Sequence, residues 1–193
     1  MSVKKGVLAV DIDETLVDDL VATLLVEYNK KYNDNVKFED ITEYNIQKFL
    51  KPECKDIFAE FANEELFEKL KPKEGSYVLL NFLNNYYNIY FLTAGDPITM
   101  PYRDKWLKKY YDSFYKSRRL VMCKDKFLFN CDILIDDCQE NLKWMPSKCM
   151  KILFNQPWNT NFNAELNGMF RVNDWTDIWN LLAEDDESKE REK

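Results

Sequence analysis

The stretch Val10-Asp11-Ile12-Asp13-Glu14-Thr15-Leu16 stands directly behind an apolar run that begins at Gly6. Gly6 to Val10 reads as a buried strand. Side chains two apart on an extended backbone share a face, so Asp11 and Asp13 point the same way. Two carboxylates aimed together past a strand end repel each other unless a cation or a shared proton lies between them. The stretch therefore predicts a metal and acid–base chemistry at a strand tip.

Outward from that tip, the chain supplies a sheet. Leu20, Val21, Leu24, Leu25, Tyr28 and Tyr32 recur at helical spacing, and Val78, Leu79, Phe82, Leu83 and Tyr86 form a second helix face. Further strands are expected at 88–92, 119–123, 132–135 and 150–154, with a short edge strand at 170–172. Helices are expected at 99–110, 139–144 and 175–182. Strands alternating with helices predict an α/β class, a Rossmann-like parallel sheet flanked by helices. Ligands of such sheets bind beyond the carboxyl ends of the strands. Asp11, Thr93 and Asp136 each fall just past a strand and are expected in one crevice. Past the first strand the pattern changes to short amphipathic pieces carrying Phe38, Tyr44, Phe49, Phe58, Phe61 and Phe67, interrupted by Pro52. This predicts a small helical cap inserted after the first strand. The expected division is an α/β core at 1–18 and 73–183, a cap at 19–72 and a charged flexible tail at 184–193.

Composition removes several kinds of chemistry. The chain has no histidine, which excludes Ser-His and Cys-His catalysis and histidine metal ligands. Proton transfer falls to carboxylates, lysines, tyrosines or thiols. A formal net charge of −7 argues against broad duplex nucleic-acid binding. A phosphorylated substrate must instead be attracted locally, by a metal or a few placed cations. The five cysteines, at 54, 123, 131, 138 and 149, form no CxxC pair, which argues against structural zinc. Reduced thiols in a cytoplasmic protein fit them best. No signal peptide or membrane span is visible. With 193 residues, 46% of them hydrophobic, the chain can build one core plus a small insert.

The constellation at the expected strand ends has a coherent chemistry. An aspartate held by a cation can attack phosphorus and carry an aspartyl-phosphate, which is the role read for Asp11. Asp13 would protonate a leaving oxygen and later deprotonate a water. Asp136 and Asp137 add carboxylate oxygens, and an all-oxygen ligand set favours Mg²⁺ over zinc. Thr93 offers a hydroxyl, and the backbone N–H groups that follow, at Ala94 and Gly95, can take phosphate oxygens. Lys126 would stabilise both the attacking carboxylate and the phosphate charge. Singly, each feature has an ordinary alternative. Aspartates after strands cap helices, and loop lysines are usually solvated. Their order along the chain is what weights them together.

That order resembles the haloacid dehalogenase-like phosphohydrolases. Asp11-Ile12-Asp13-Glu14-Thr15 is similar to their first motif, Thr93 to the second, Lys126 to the third and Asp136-Asp137 to the fourth. The resemblance implies Mg²⁺ held by the Asp11 side chain, the Asp13 backbone carbonyl and the Asp136 side chain, with Asp137 as a nearby ligand or support. A narrower likeness is carried by Cys123-Lys124-Asp125-Lys126, by Asp132 through Asp137, by Phe154-Asn155-Gln156-Pro157-Trp158-Asn159 and by Arg171-Val172-Asn173-Asp174-Trp175. These resemble the 5'(3')-deoxyribonucleotidase family, which implies a phosphomonoesterase acting on nucleoside monophosphates. Two positions depart from that family. Glu14 stands where glycine is common, and Ala94 stands where serine is frequent, which removes one hydroxyl from the phosphate site.

A cap over the site would exclude water and select the substrate. Phe38, Tyr44 and Phe49 are its candidates for stacking on a nucleobase, and Trp158 is a candidate from the core. The ordinary alternative is that the cap aromatics form its own small core. Gln156 and Asn159 are candidates for hydrogen bonds to a base or sugar; Arg103, near the loop that carries Thr93, is a candidate for phosphate, with a solvated helix residue as the more ordinary reading. Alternative substrates are another small phosphate ester or an oligonucleotide 3'-phosphate. A catalytically silent nucleotide-binding relative is the alternative from another class. A monomer and a homodimer are both compatible with the sequence.

Overall fold

The computed structural model describes residues 6–191. In chain order the elements are β1 (Gly6–Asp11), β2 (Val17–Asp18), α1 (Leu20–Tyr32), α2 (Ile57–Phe61), α3 (Glu64–Lys69), β3 (Lys71–Pro72) and α4 (Ser76–Leu83). They continue with β4 (Tyr87–Thr93), α5 (Met100–Tyr111), β5 (Leu120–Met122), β6 (Ile133–Asp136), α6 (Gln139–Lys143), β7 (Met150–Phe154), β8 (Phe170–Val172) and α7 (Trp175–Arg191). Short 3-10 turns join several of them.

Six strands form one sheet in the order β5-β4-β1-β6-β7-β8, parallel at every pairing. Both faces are covered, as parallel sheets require. Alternation along the strands sorts the core into two layers. Leu8 and Val10 of β1, Ile89 and Phe91 of β4, Ile133 and Ile135 of β6 and Ile152 of β7 join one cluster, with Leu80 of α4, Leu107 of α5 and Ile178 of α7. Ala9, Leu92, Leu134 and Leu153 face the other way, toward Leu142 of α6 and Met169. From β1 the chain winds outward through β4 to β5, then returns to the opposite side of β1 for β6, β7 and β8. The direction of winding reverses at β1 and β6, and the crevice of a doubly wound sheet opens beyond those carboxyl ends.

The expected sheet is present, including the edge strand at 170–172. A two-stranded antiparallel ribbon, β2 with β3, was not legible because each strand has only two residues. The ribbon marks where the chain leaves for α1, α2 and α3 and where it returns. Leu24, Ile41, Ile57 and Phe67 of that segment belong to the same buried cluster as Leu8 and Ile135, so its apolar side chains do not form a separate core. The last helix runs to Arg191, past Leu182 where the apolar pattern stops and into the segment expected as a flexible tail.

Candidate functional site

β1 delivers Asp11 at its last residue, and β6 beside it delivers Asp136 at its own. The chain after Asp11 makes a single tight turn, with the Leu16 and Val17 amides both donating to the Ile12 carbonyl at 2.9 Å. Glu14 sits in this turn at φ +56°, a left-handed conformation that costs any residue except glycine. Its carboxylate Oε1 accepts from the Val21 amide at 2.6 Å, tying the turn to the start of α1. That bond gives Glu14 a role that a glycine there would not have.

Lys126 lies in a 3-10 turn, 2% exposed, with its ammonium between two strand ends. It donates to Asp11 Oδ1 and, at 2.7 Å, to Asp136 Oδ2. The Cys138 amide and the Asn141 side-chain amide also donate to Asp136, at 2.9 and 3.1 Å. Carboxylate oxygens of Asp11, Asp136 and Asp137 all lie within 4.8 Å of one another, and all three residues are buried. Burial pushes Asp11 up to about 7, against the pull of Lys126 and with Asp136 and Asp13 adding to the rise. Burial, reinforced by Asp11 and Asp136, holds Asp137 well above the usual carboxylate range. Burial works against charge on Lys126, but Asp11 and Asp136 outweigh it and raise its affinity for the proton.

This donor set fits a hard divalent cation. Three crowded carboxylates share one lysine, which leaves them short of positive charge. The adjacent Cys138 thiol is pushed up to about 12 by burial and offers no competing thiolate.

A cavity of about 450 Å³ opens above these groups, within the size range of small-molecule sites. Asp11, Asp13 and Asp137 form part of its floor, and Ala94, Gly95 and Asp96 line one side. Thr93 is 1% exposed, and its Oγ1 accepts the Gly95 amide at 3.0 Å. The Gly95 N–H expected for phosphate is therefore engaged within the loop. Tyr44 and Trp158 line the cavity as expected. Although Tyr44 as a whole is half-exposed, the crowding of protein atoms around its phenol, with the charges of Asp137 and Asp11 adding to it, holds that group well above its ordinary range.

Other expectations are corrected. Phe49 packs against the buried cluster and is not among the lining residues. Phe38 stands behind the wall, edge-on to Trp158 with ring centres 5.7 Å apart. Gln156 donates to the Glu14 carbonyl at 2.7 Å, and Asn159 donates to the Asp137 and Phe154 carbonyls at 2.8 Å. Both brace the site from within. Arg103 is not solvated: it is 1% exposed and borders the cavity. Its spacing to Trp106 and Leu107 on α5, i+3 and i+4, places it on the buried stripe and was a legible signal. Phe58, named above only among the aromatics of the inserted segment, also lines the cavity, as do Lys124, Ile41 and Ile46. Short apolar residues in an irregular segment give no periodicity from which to choose them.

Three comparisons bear on this site. Residues 5–186 match the model of the 5' nucleotidase, deoxy (pyrimidine), cytosolic type C protein family. A 5'(3')-deoxyribonucleotidase of Clostridium acetobutylicum is 30% identical over 172 residues, covering 89% of this chain and 91% of that protein. A 5'(3')-deoxyribonucleotidase of Bacillus subtilis is 31% identical over 177 residues, covering 90% and 96%. Among solved structures, a haloacid dehalogenase-like family hydrolase of Streptococcus pneumoniae superposes with TM-score 0.69 at 12% identity, over 92% of this chain and 98% of that one. The HAD-hydrolase YfnB of Bacillus subtilis, solved bound to magnesium, superposes with TM-score 0.57 at 13% identity, over 94% and 100%. These likenesses carry the fold.

Proposed function

The chain belongs to the 5' nucleotidase, deoxy (pyrimidine), cytosolic type C family, and on that premise we propose that it is a Mg²⁺-dependent phosphomonoesterase of nucleoside monophosphates. The observation that carries the reading is Lys126 bridging Asp11 and Asp136 directly beneath a cavity that Asp11, Asp13 and Asp137 line. The relatives named as 5'(3')-deoxyribonucleotidases support the substrate class.

Asp11 is the nucleophile. One carboxylate oxygen bonds to phosphorus as the bond to the leaving oxygen breaks, and Asp13 gives that oxygen its proton. The product is an aspartyl-phosphate on Asp11 and a free nucleoside. Asp13, now ionised, takes a proton from water as the water oxygen attacks phosphorus, releasing inorganic phosphate and restoring Asp11. Lys126 holds the attacking carboxylate in aim and offsets charge on the phosphoryl oxygens. Thr93 Oγ1 accepts the Gly95 amide, so its own O–H proton is the one it offers to phosphate. The Asp11 and Asp136 side chains and the Asp13 carbonyl would hold Mg²⁺ with Asp137 beside them, and the bound ion supplies positive charge to phosphate and carboxylates.

Residues 19–72 serve as the cap, with Tyr44 and Phe58 forming the wall against which the base rests and Trp158 closing the core side. All five cysteines are free thiols, which suits a cytoplasmic protein, as a monomer or homodimer. Among the described residues no helix is long and apolar enough to cross a membrane. Phosphate release from a panel of ribo- and deoxynucleoside monophosphates, with Mg²⁺ and with EDTA, tests the reading. Asp11→Asn is expected to abolish turnover while leaving the fold intact; turnover at the wild-type rate would refute it.

A further inference from the structure

An arginine on a helix normally keeps its charged head in water, because burying it without a partner costs several kcal/mol, on the order quoted for any buried ion. Arg103 does the opposite. Its Nε donates to Asp13 Oδ1 at 3.1 Å and its Nη2 donates to Asp13 Oδ2, a two-pronged grip on one carboxylate. Nη1 donates to Thr99 Oγ1 one turn back on the same stretch of chain. The guanidinium lies 5.0 Å from the ring centre of Phe67, which arrives from α3. It also packs tightly on the loop after β4: a Cβ on Gly95 would sit 2.7 Å from Arg103 Cζ. The head group is thus fixed on several sides, while the Asp13 side chain it holds is 24% exposed to the cavity.

We propose that Arg103 is the positioning residue for Asp13, fixing the carboxylate in the orientation from which it exchanges a proton with the leaving oxygen and with water. Asp13 stands in a turn between the buried Ile12 and Glu14, and among the described residues Arg103 is the hydrogen-bond partner that its partly exposed carboxylate has. Arg103 occupies one lone pair on each carboxylate oxygen and leaves a second on each. The grip therefore sets direction without blocking the proton site. Because Phe67 covers the guanidinium, a side chain of the inserted helical segment helps hold the acid–base group in place. The inference rests on the phosphomonoesterase reading above and adds a group that acts only through Asp13.

The test separates leaving groups in a single turnover. Phosphoryl transfer from a nucleoside monophosphate expels an alkoxide that needs a proton, whereas p-nitrophenolate leaves without one. Arg103→Gln is expected to slow the first turnover of a nucleoside monophosphate by about 10- to 100-fold with KM changed less than about threefold, a fraction of the usual worth of proton transfer. The burst of p-nitrophenolate should slow by less than about threefold. Arg103→Lys, which keeps the buried charge but grips at one point, should recover part of the nucleotide rate and covers the case in which the glutamine variant does not fold. In an Asp13→Asn background, removing Arg103 should add less than about threefold, the mark of two residues acting as one unit. Equal losses on both esters, a change in KM alone, or the same loss in the Asp13→Asn background would overturn the proposal. Wild-type protein that cleaves neither ester would instead overturn the phosphomonoesterase reading on which it stands.

Discussion

The floor and the wall of the cavity are built on opposite plans. At and beneath the floor, polar side chains are almost wholly buried and tied together: Lys126 donates to Asp11 and Asp136, Asn141 to Asp136, and Asn159 to the backbone carbonyl of Asp137. They issue from adjacent parallel strands and the turns after them. The wall between α1 and α3 is lined by Ile41, Tyr44, Ile46, Phe58 and Ala62, from short helices and irregular chain. Tyr44 is 52% exposed. A charged network buried this deeply tolerates no missing member, whereas an apolar wall can lose a ring and keep its shape. The floor is suited to hold reacting groups, and the wall to adjust what is admitted.

Substitutions should therefore have unequal effects on the two regions. Lys126→Met is expected to be the most damaging, since it leaves Asp11 and Asp136 facing each other without their cation. Thermal melting in EDTA should show a loss of about 3–5 kcal/mol, and phosphate release should fall at least about 100-fold even with Mg²⁺. A mild effect would show that the floor is as forgiving as the wall.

Glu14 gives a pH signature. Burial lifts its carboxyl to about 7 in the folded protein against 4.5 for the free side chain. The folded state then binds more protons than the unfolded one between those values, so Glu14 costs stability as pH rises through that window. Glu14→Gln keeps an acceptor for the Val21 amide and removes the charge. In EDTA it should stabilise the protein at pH 8 by up to roughly 3 kcal/mol and change little at pH 4.5. A uniform effect across pH would assign it to backbone strain at φ +56°.

Mg²⁺ should raise the melting temperature, by a free energy of about 2.7 kcal/mol at one hundred times its Kd. Calcium-loaded or EDTA-treated protein compared by calorimetry would measure how well the three carboxylates discriminate ion size. On the wall, Phe58→Ala should raise KM for nucleoside monophosphates by about tenfold with kcat within about twofold, matching the loss of one stacking surface. A fall in kcat instead would mean that the wall also orients the reacting phosphate.

What could be read from the sequence follows the same division. Asp11, Asp13, Lys126 and Asp136 were legible because a parallel sheet turns sequence order into a place, and each follows a recognisable strand. Residue type makes Arg103 read as solvated, whereas its helical position, in line with Trp106 and Leu107 on α5, places it on the buried face. The sequence does not separate Phe49, which packs inward, from Phe58, which lines the cavity, because the segment between α1 and β3 is short helices and 3-10 turns, where no period tells an inward ring from a lining one. Gln156 and Asn159 read as ligand contacts, and only the folded chain shows that their amides are consumed by the carbonyls of residues 14, 137 and 154.

The β2–β3 ribbon brings the two ends of the inserted segment side by side, Val17 opposite Pro72. An engineer would see a cassette that could be cut out there and replaced by a short loop. The shared apolar layer forbids it. Excision would remove Leu24, Ile41 and Ile57 from the buried cluster they share with Leu8 and Ile135 and leave a greasy scar on what remains. Swapping cassettes between relatives would have to carry both halves of that layer, and a calorimeter should record one heat-absorption peak for the intact chain, not two.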